Sequence, residues 1–197
     1  EFFSEGQAAA APKIQTRFNF ANAQLRVAVL DLAVAVVVGP PALALDAAAH
    51  TVPRHQEDGS WIWTYTFPHA GDDVQLQLRG IPERRHMRWQ MSITAPSANP
   101  ALVHALWFEG STWPTGTGLW TLNDIAAPGT PAALEIEYQL AARGDRSLTF
   151  TNVHAASPDV GDRLTYSGQG VDASIVFDDA SAAEEWFIEW NRATGAG

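Results

Sequence analysis

The residues of this chain best suited to chemistry are six histidines, and their spacing matches no common metal or acid–base motif. They stand at positions 50, 55, 69, 86, 104 and 154. None forms a His-x-x-x-His or His-Glu-x-x-His pair, the spacings that place two ligands on one helix face. His50 and His55 accompany Glu57 and Asp58 in a polar connector, a composition more typical of a solvated loop than of a metal centre. We therefore expect no metal site and no cofactor.

His104 is the histidine with the most apolar surroundings, because it lies inside the segment 102–109. One interpretation is a buried neutral imidazole with a hydrogen-bond partner, since an unpartnered one would be costly. The other is a polar group that orients a ligand, or that serves as the catalytic group of an enzyme.

A pair of glutamates and a loop that carries a tryptophan are also candidates for a functional role, but we do not expect either to be catalytic. Glu135 and Glu137 are two residues apart, which separates them by about 7 Å on a strand and suits inverting glycoside hydrolysis. They alternate with apolar residues, which predicts that they lie on the solvated face. The loop 110–118 has no Gly-x-Ser-x-Gly nucleophile motif, but it carries Trp113, which either covers a cavity mouth and touches ligand or packs locally.

The elements that would position such groups are strands, because apolar and polar residues alternate with a period of two from Ser60 to Asn191. The predicted strands are 60–68, 73–80, 85–95, 102–109, 118–123, 132–140, 146–153, 162–168, 171–177 and 184–191. Short turns separate many of them, which favours antiparallel neighbours in an up-and-down meander. About eight to ten such strands are expected to close into a barrel, with a filled β-sandwich as the alternative.

The N-terminal part is expected to differ from this β-region. The apolar spacing of Leu25, Val29, Leu32 and Val36 predicts a helix over about 21–38 that packs on the outside of the barrel. The apolar run 27–38 is too short for a comfortable membrane span. The predicted organisation is an arm and helix over 1–58 and a barrel domain over 59–197.

Composition and net charge limit the kinds of molecule that this protein is expected to bind. The chain has 197 residues, 46% of them apolar and 17% charged, which fits one globular domain with a substantial core. A net charge of −10 argues against nucleic acid and against anionic membrane surfaces. The absence of cysteine excludes disulfides and thiol catalysis.

The aromatic residues point to the function that the sequence favours. Eight Trp, with Tyr, Phe and Met, fall largely on the apolar side of the predicted strands and would line an interior cavity. We expect this cavity to bind a small apolar or amphipathic ligand without catalysis. The predicted ligand-binding residues are Trp63, Tyr65, Trp89, Met91, His104, Trp113, Tyr138, Phe150, Tyr166 and Trp186.

One short motif resembles a known group. Gly59-Ser60-Trp61, at the head of the first long strand, is similar to the Gly-x-Trp signature of lipocalin-like (calycin) barrels. The resemblance implies that Trp61 packs against an arginine after the last strand, for which Arg192 is the candidate. It also implies a hydrophobic ligand inside the barrel and a secreted protein or a lipoprotein of the bacterial envelope or periplasm, with any lipid anchor upstream of residue 1. The alternatives are a barrel enzyme (hydrolase, isomerase or cyclase) that uses His104, or a partner-binding sandwich.

Overall fold

The computed structural model describes residues 51–69, 72–141 and 144–194, which form one antiparallel sheet of eleven strands. The strands are β1 Arg54–His55, β2 Trp61–His69, β3 Asp72–Pro82, β4 Met87–Ala95, β5 Leu102–Thr112, β6 Thr117–Asn123, β7 Ala132–Leu140, β8 Arg146–Asn152, β9 Arg163–Gln169, β10 Asp172–Asp179 and β11 Glu184–Asn191. Each strand pairs with its neighbours in sequence, so the predicted up-and-down meander is confirmed. All ten predicted strands are present within three residues of their predicted bounds.

Three parts of the predicted architecture, which are the strand count, the closure of the barrel and the N-terminal helix, are not confirmed by the described residues. The strand count is eleven, above the predicted eight to ten, because Arg54 and His55 of the polar connector pair with Ile62 and Trp61. In the parts of the chain that the structure describes, the first and last strands are not paired with each other, so the sheet is not closed by hydrogen bonds. The predicted helix over 21–38 lies outside the described residues, which contain no helix of the length and hydropathy needed to cross a membrane.

One face of the sheet carries the core, as the alternation predicts. Directly paired residues share a face, so the pairings Leu78–Met91 and Met91–Phe108 place the most completely buried side chains side by side. The same apolar cluster continues through β7 to β10, where it includes Ile136 and Ile175. We call this side the aromatic face and the opposite, largely polar side the outer face.

Strand β5 departs from strict alternation, which changes the predicted faces of its residues. Its register with β4 shifts twice, so that Leu106 pairs with Ser92 and Ala105 pairs with Ile93. Alternation alone predicts Leu106 on the same side as Phe108 and Ala105 on the other, whereas these pairings place Ala105 on the aromatic face. Bulges cause such a shift because each inserts a residue into one strand only.

Candidate functional site

The most distinctive feature of the aromatic face is a row in which tryptophan and glycine alternate across five strands. Trp61 pairs with Gly80, Gly80 with Trp89, Trp89 with Gly110, and Gly110 with Trp120. Because these pairs lie directly opposite one another, the five residues form one line across β2 to β6. We call this line the tryptophan row.

Indole rings lie over the backbone of both glycines in the row. A β-carbon at Gly110 would lie 2.5 Å from Cε3 of Trp120, closer than any real contact. At Gly80 it would lie 3.0 Å from Cζ3 of Trp89 and 3.3 Å from Cζ3 of Trp63. A β-carbon at Gly110 would collide with the Trp120 ring, whereas one at Gly80 would require the neighbouring indoles to shift by a few tenths of an ångström. The glycines therefore let large aromatic surfaces lie close to the backbone.

Ring contacts extend the tryptophan row into a broader aromatic surface. The ring centroids of Trp63 and Trp89 are 5.9 Å apart, and Trp120 meets Phe108 edge-on at 5.6 Å. Such spacings lie within the range in which aromatic pairs attract each other. Trp63, Trp89 and Trp120 are all only partly buried and pack against the fully buried core beneath them. Each of these three tryptophans therefore keeps part of its surface exposed to solvent.

A few polar groups lie among these rings, and each is held in place. The indole N–H of Trp89 donates to Oγ1 of Thr112 at 3.1 Å, and the hydroxyl of Tyr65 lies 3.8 Å from the sulfur of Met91. Burial raises the pKa of Tyr65 above its ordinary value. Burial also raises the pKa of Tyr138, although a hydrogen bond with Trp120 partly opposes that rise. Both phenols therefore remain neutral at physiological pH and act as hydrogen-bonding groups rather than charges.

Two arginines of the same face lie near the turn between β9 and β10, where Asp145 accepts a hydrogen bond from the backbone N–H of Gly170. The guanidinium carbon of Arg146 lies 5.6 Å from the ring centre of Tyr166, and the guanidinium carbon of Arg192 lies 3.6 Å from where a β-carbon of Gly168 would be. Arg192 also donates to the carbonyl of Gly170. Trp61 packs against His55, with ring centroids 4.8 Å apart. The Trp61–Arg192 pairing implied by the calycin resemblance stays a prediction.

The structure brings most of the predicted ligand-binding residues onto the aromatic face. Those that are only partly buried are Trp63, Tyr65, Trp89, Tyr138 and Trp186. Met91, Phe150 and Tyr166 are buried and belong to the core that supports the exposed rings. Ligand contact by any of them stays a prediction.

The other two predicted residues lie apart from that surface. His104 is exposed, has a left-handed backbone with φ 51°, and donates its backbone N–H to Oγ1 of Thr94. Trp113 stacks on His86 with ring centroids 5.2 Å apart, which matches the local-packing interpretation of this loop residue. Trp120 and the glycines of the tryptophan row were missed, although the alternation in Gly118-Leu119-Trp120 already places Trp120 beside Leu122 on the apolar side.

The ionisable residues of the described ranges form no metal centre, because no three of their His, Asp and Glu side chains come together in a ligating arrangement. Glu135 and Glu137 are exposed, as predicted from their alternation with apolar neighbours. His154 lies 3.6 Å from a carboxylate oxygen of Asp124, which links two loops at one end of the sheet. The chain matches no family model, no curated protein and no solved structure.

Proposed function

We propose that this protein binds a small apolar or amphipathic molecule on its aromatic face. The observation that carries the proposal is the tryptophan row, in which Trp89 and Trp120 lie over glycine backbone and keep part of their surface exposed. Burying partly exposed indole against a ligand is favourable at about 25 cal/mol per Å² of apolar area. A flat, rigid aromatic surface also binds with little loss of side-chain freedom.

We further propose that the sheet curls so that this face lines an enclosed space, as in a calycin-like barrel. Leu78, Met91 and Phe108 are almost completely inaccessible to solvent, although they lie on a face of a single sheet. Such burial requires a covering layer, which a strongly curled sheet of about ten strands can supply from its own distant strands. In this proposal the protein acts in the bacterial envelope or outside the cell, and Arg146 and Arg192, beside Gly168, orient the polar group of an amphipathic ligand.

Binding is tested by titrating the purified protein with Nile red, a neutral apolar dye whose emission rises in apolar surroundings. The wild type is expected to saturate, and Trp89→Phe and Trp120→Phe are expected to bind the dye more weakly because less ring area is buried. Phe187→Ala is the matched control, since it removes an aromatic ring from the outer face and should leave binding unchanged. Equal dye binding by all four proteins, with folding verified by circular dichroism, would contradict the proposed site.

A further inference from the structure

The rings of Trp89 and Trp120 lean in the same direction across the sheet. The ring of Trp89, on β4, lies over Gly80 of β3, and the ring of Trp120, on β6, lies over Gly110 of β5. In both cases the indole covers the glycine of the preceding strand, so each ring extends over two strands. With Trp61 on β2, the row therefore forms a continuous aromatic floor from β2 to β6.

The accessible part of this floor has a defined length. It begins at Trp61, which is 38% exposed, and its last partly exposed ring is that of Trp120. The next residues in the same line, Ile136 of β7 and Phe150 of β8, are buried. Four strand spacings separate β2 from β6, so the floor is roughly 19 Å long.

The floor is narrow compared with its length. Along one side it is bordered by Leu78, Met91 and Phe108, which are almost completely buried. These residues lie two positions along their strands from the row, which corresponds to about 7 Å. An elongated molecule that runs across the strands therefore fits this floor better than a compact one.

The indole N–H groups of the floor already have partners within the protein. Trp89 donates to Oγ1 of Thr112, and Trp120 forms a hydrogen bond with the hydroxyl of Tyr138. A sugar would lose hydrogen bonds to water without regaining them from these indoles, which is costly. A hydrocarbon chain has no such groups to lose, and its burial against the rings is favourable.

We propose that the tryptophan row binds one unbranched alkyl chain of about 15 carbons, laid across the strands from β2 to β6. The inference rests on the proposed function and specifies the shape and length of the ligand. With C–C bonds of about 1.5 Å at angles of about 111°, an extended chain advances about 1.25 Å per carbon. A chain of about 15 carbons therefore covers the roughly 19 Å from Trp61 to Trp120.

The proposal is tested by displacing Nile red with straight-chain alkylphosphocholines of eight to eighteen carbons, each below its micelle-forming concentration. Each added carbon should lower the displacing concentration about twofold, because a chain on a floor buries about half of its surface. This gain should stop near 15 carbons. A gain that continues to eighteen carbons, or displacement independent of length, would overturn the proposal while dye binding upholds the proposed function. Failure of the dye to bind at all would contradict both.

The substitution Trp61→Ala tests whether the row sets the preferred length. It shortens the floor by one strand spacing, to roughly 14 Å, so the gain should stop near about 11 carbons while shorter chains bind as before. Phe67→Ala is the matched control, since Phe67 is 40% exposed on the same face of β2 but lies outside the row. A general loss of stability would weaken all chain lengths alike. An unchanged length limit in Trp61→Ala, or an equal shift in Phe67→Ala, would overturn the proposal.

Discussion

The ring of Tyr138 lies across Gly118 so closely that a β-carbon on this glycine would be 2.1 Å from Cε1 of the tyrosine. The two residues are direct partners on β6 and β7. The contact extends the arrangement of the tryptophan row, in which rings lie over glycine backbone, by one further pair. The packing of the aromatic face therefore depends on its glycines, which have no side chain, as much as on its large aromatic rings.

The substitution Gly118→Ala is therefore expected to destabilise the fold by about 1–3 kcal/mol, as overpacking does. Chemical denaturation measures the effect. Gly168→Ala is the control, for which we expect a smaller loss of stability. A β-carbon at Gly168 would lie 3.1 Å from the hydroxyl of Tyr166, which can shift more easily than the ring that lies over Gly118. An equal or larger loss at Gly168 would contradict the packing described at Gly118.

Removal of the Trp63 ring should be costly, because it packs on the core beside Trp89 and over Gly80. We expect Trp63→Ala to lower the free energy of unfolding by about 3 kcal/mol, near the lower end for buried aromatics since the ring is partly exposed. Val103→Ala removes an apolar side chain that is 68% exposed and should change stability by less than about 0.5 kcal/mol. Unfolding curves that respond equally to both changes would place Trp63 outside the core.

Acid stability should depend on Asp58. Hydrogen bonds from the side chain and backbone of Ser60, with the nearby Arg79 guanidinium, lower the pKa of Asp58 below its ordinary 3.8. A carboxyl whose pKa is lower in the folded state stabilises the fold above its unfolded pKa, and this stabilisation is lost as pH falls through the folded value.

The stability difference between wild type and Asp58→Asn is therefore expected to be largest near neutral pH and to shrink below about pH 4. Denaturation midpoints from pH 2.5 to 7 measure this difference, with Asp73→Asn as the control at an exposed carboxyl on β3. A difference that stays constant over the whole range would show that the charge of Asp58 plays no part.

The sequence predicts the strands well because their signal is local. The alternation in β4 and the apolar positions of β7 are each complete within nine residues, so Met87–Ala95 and Ala132–Leu140 lie close to their predicted bounds. Strand β1 was missed because Arg54 and His55 are both exposed and polar, so no apolar side marks them. Its two residues extend only because they pair with β2.

The features that build the candidate site are less visible in sequence because they depend on register. Gly80, Gly110 and Trp120 are far apart along the chain, and only the pairing of five strands places them in one row. The bulges in β5 similarly reverse the predicted sides of Ala105 and Leu106, and nothing in the local pattern marks them.

Native mass spectrometry of the protein purified without detergent tests ligand binding by the aromatic face most directly. We expect a noncovalent adduct of small apolar or amphipathic molecules that is lost on denaturation and is reduced in Trp89→Phe. A bare protein mass, unchanged after incubation with an excess of Nile red or of a long-chain fatty acid, would contradict the account.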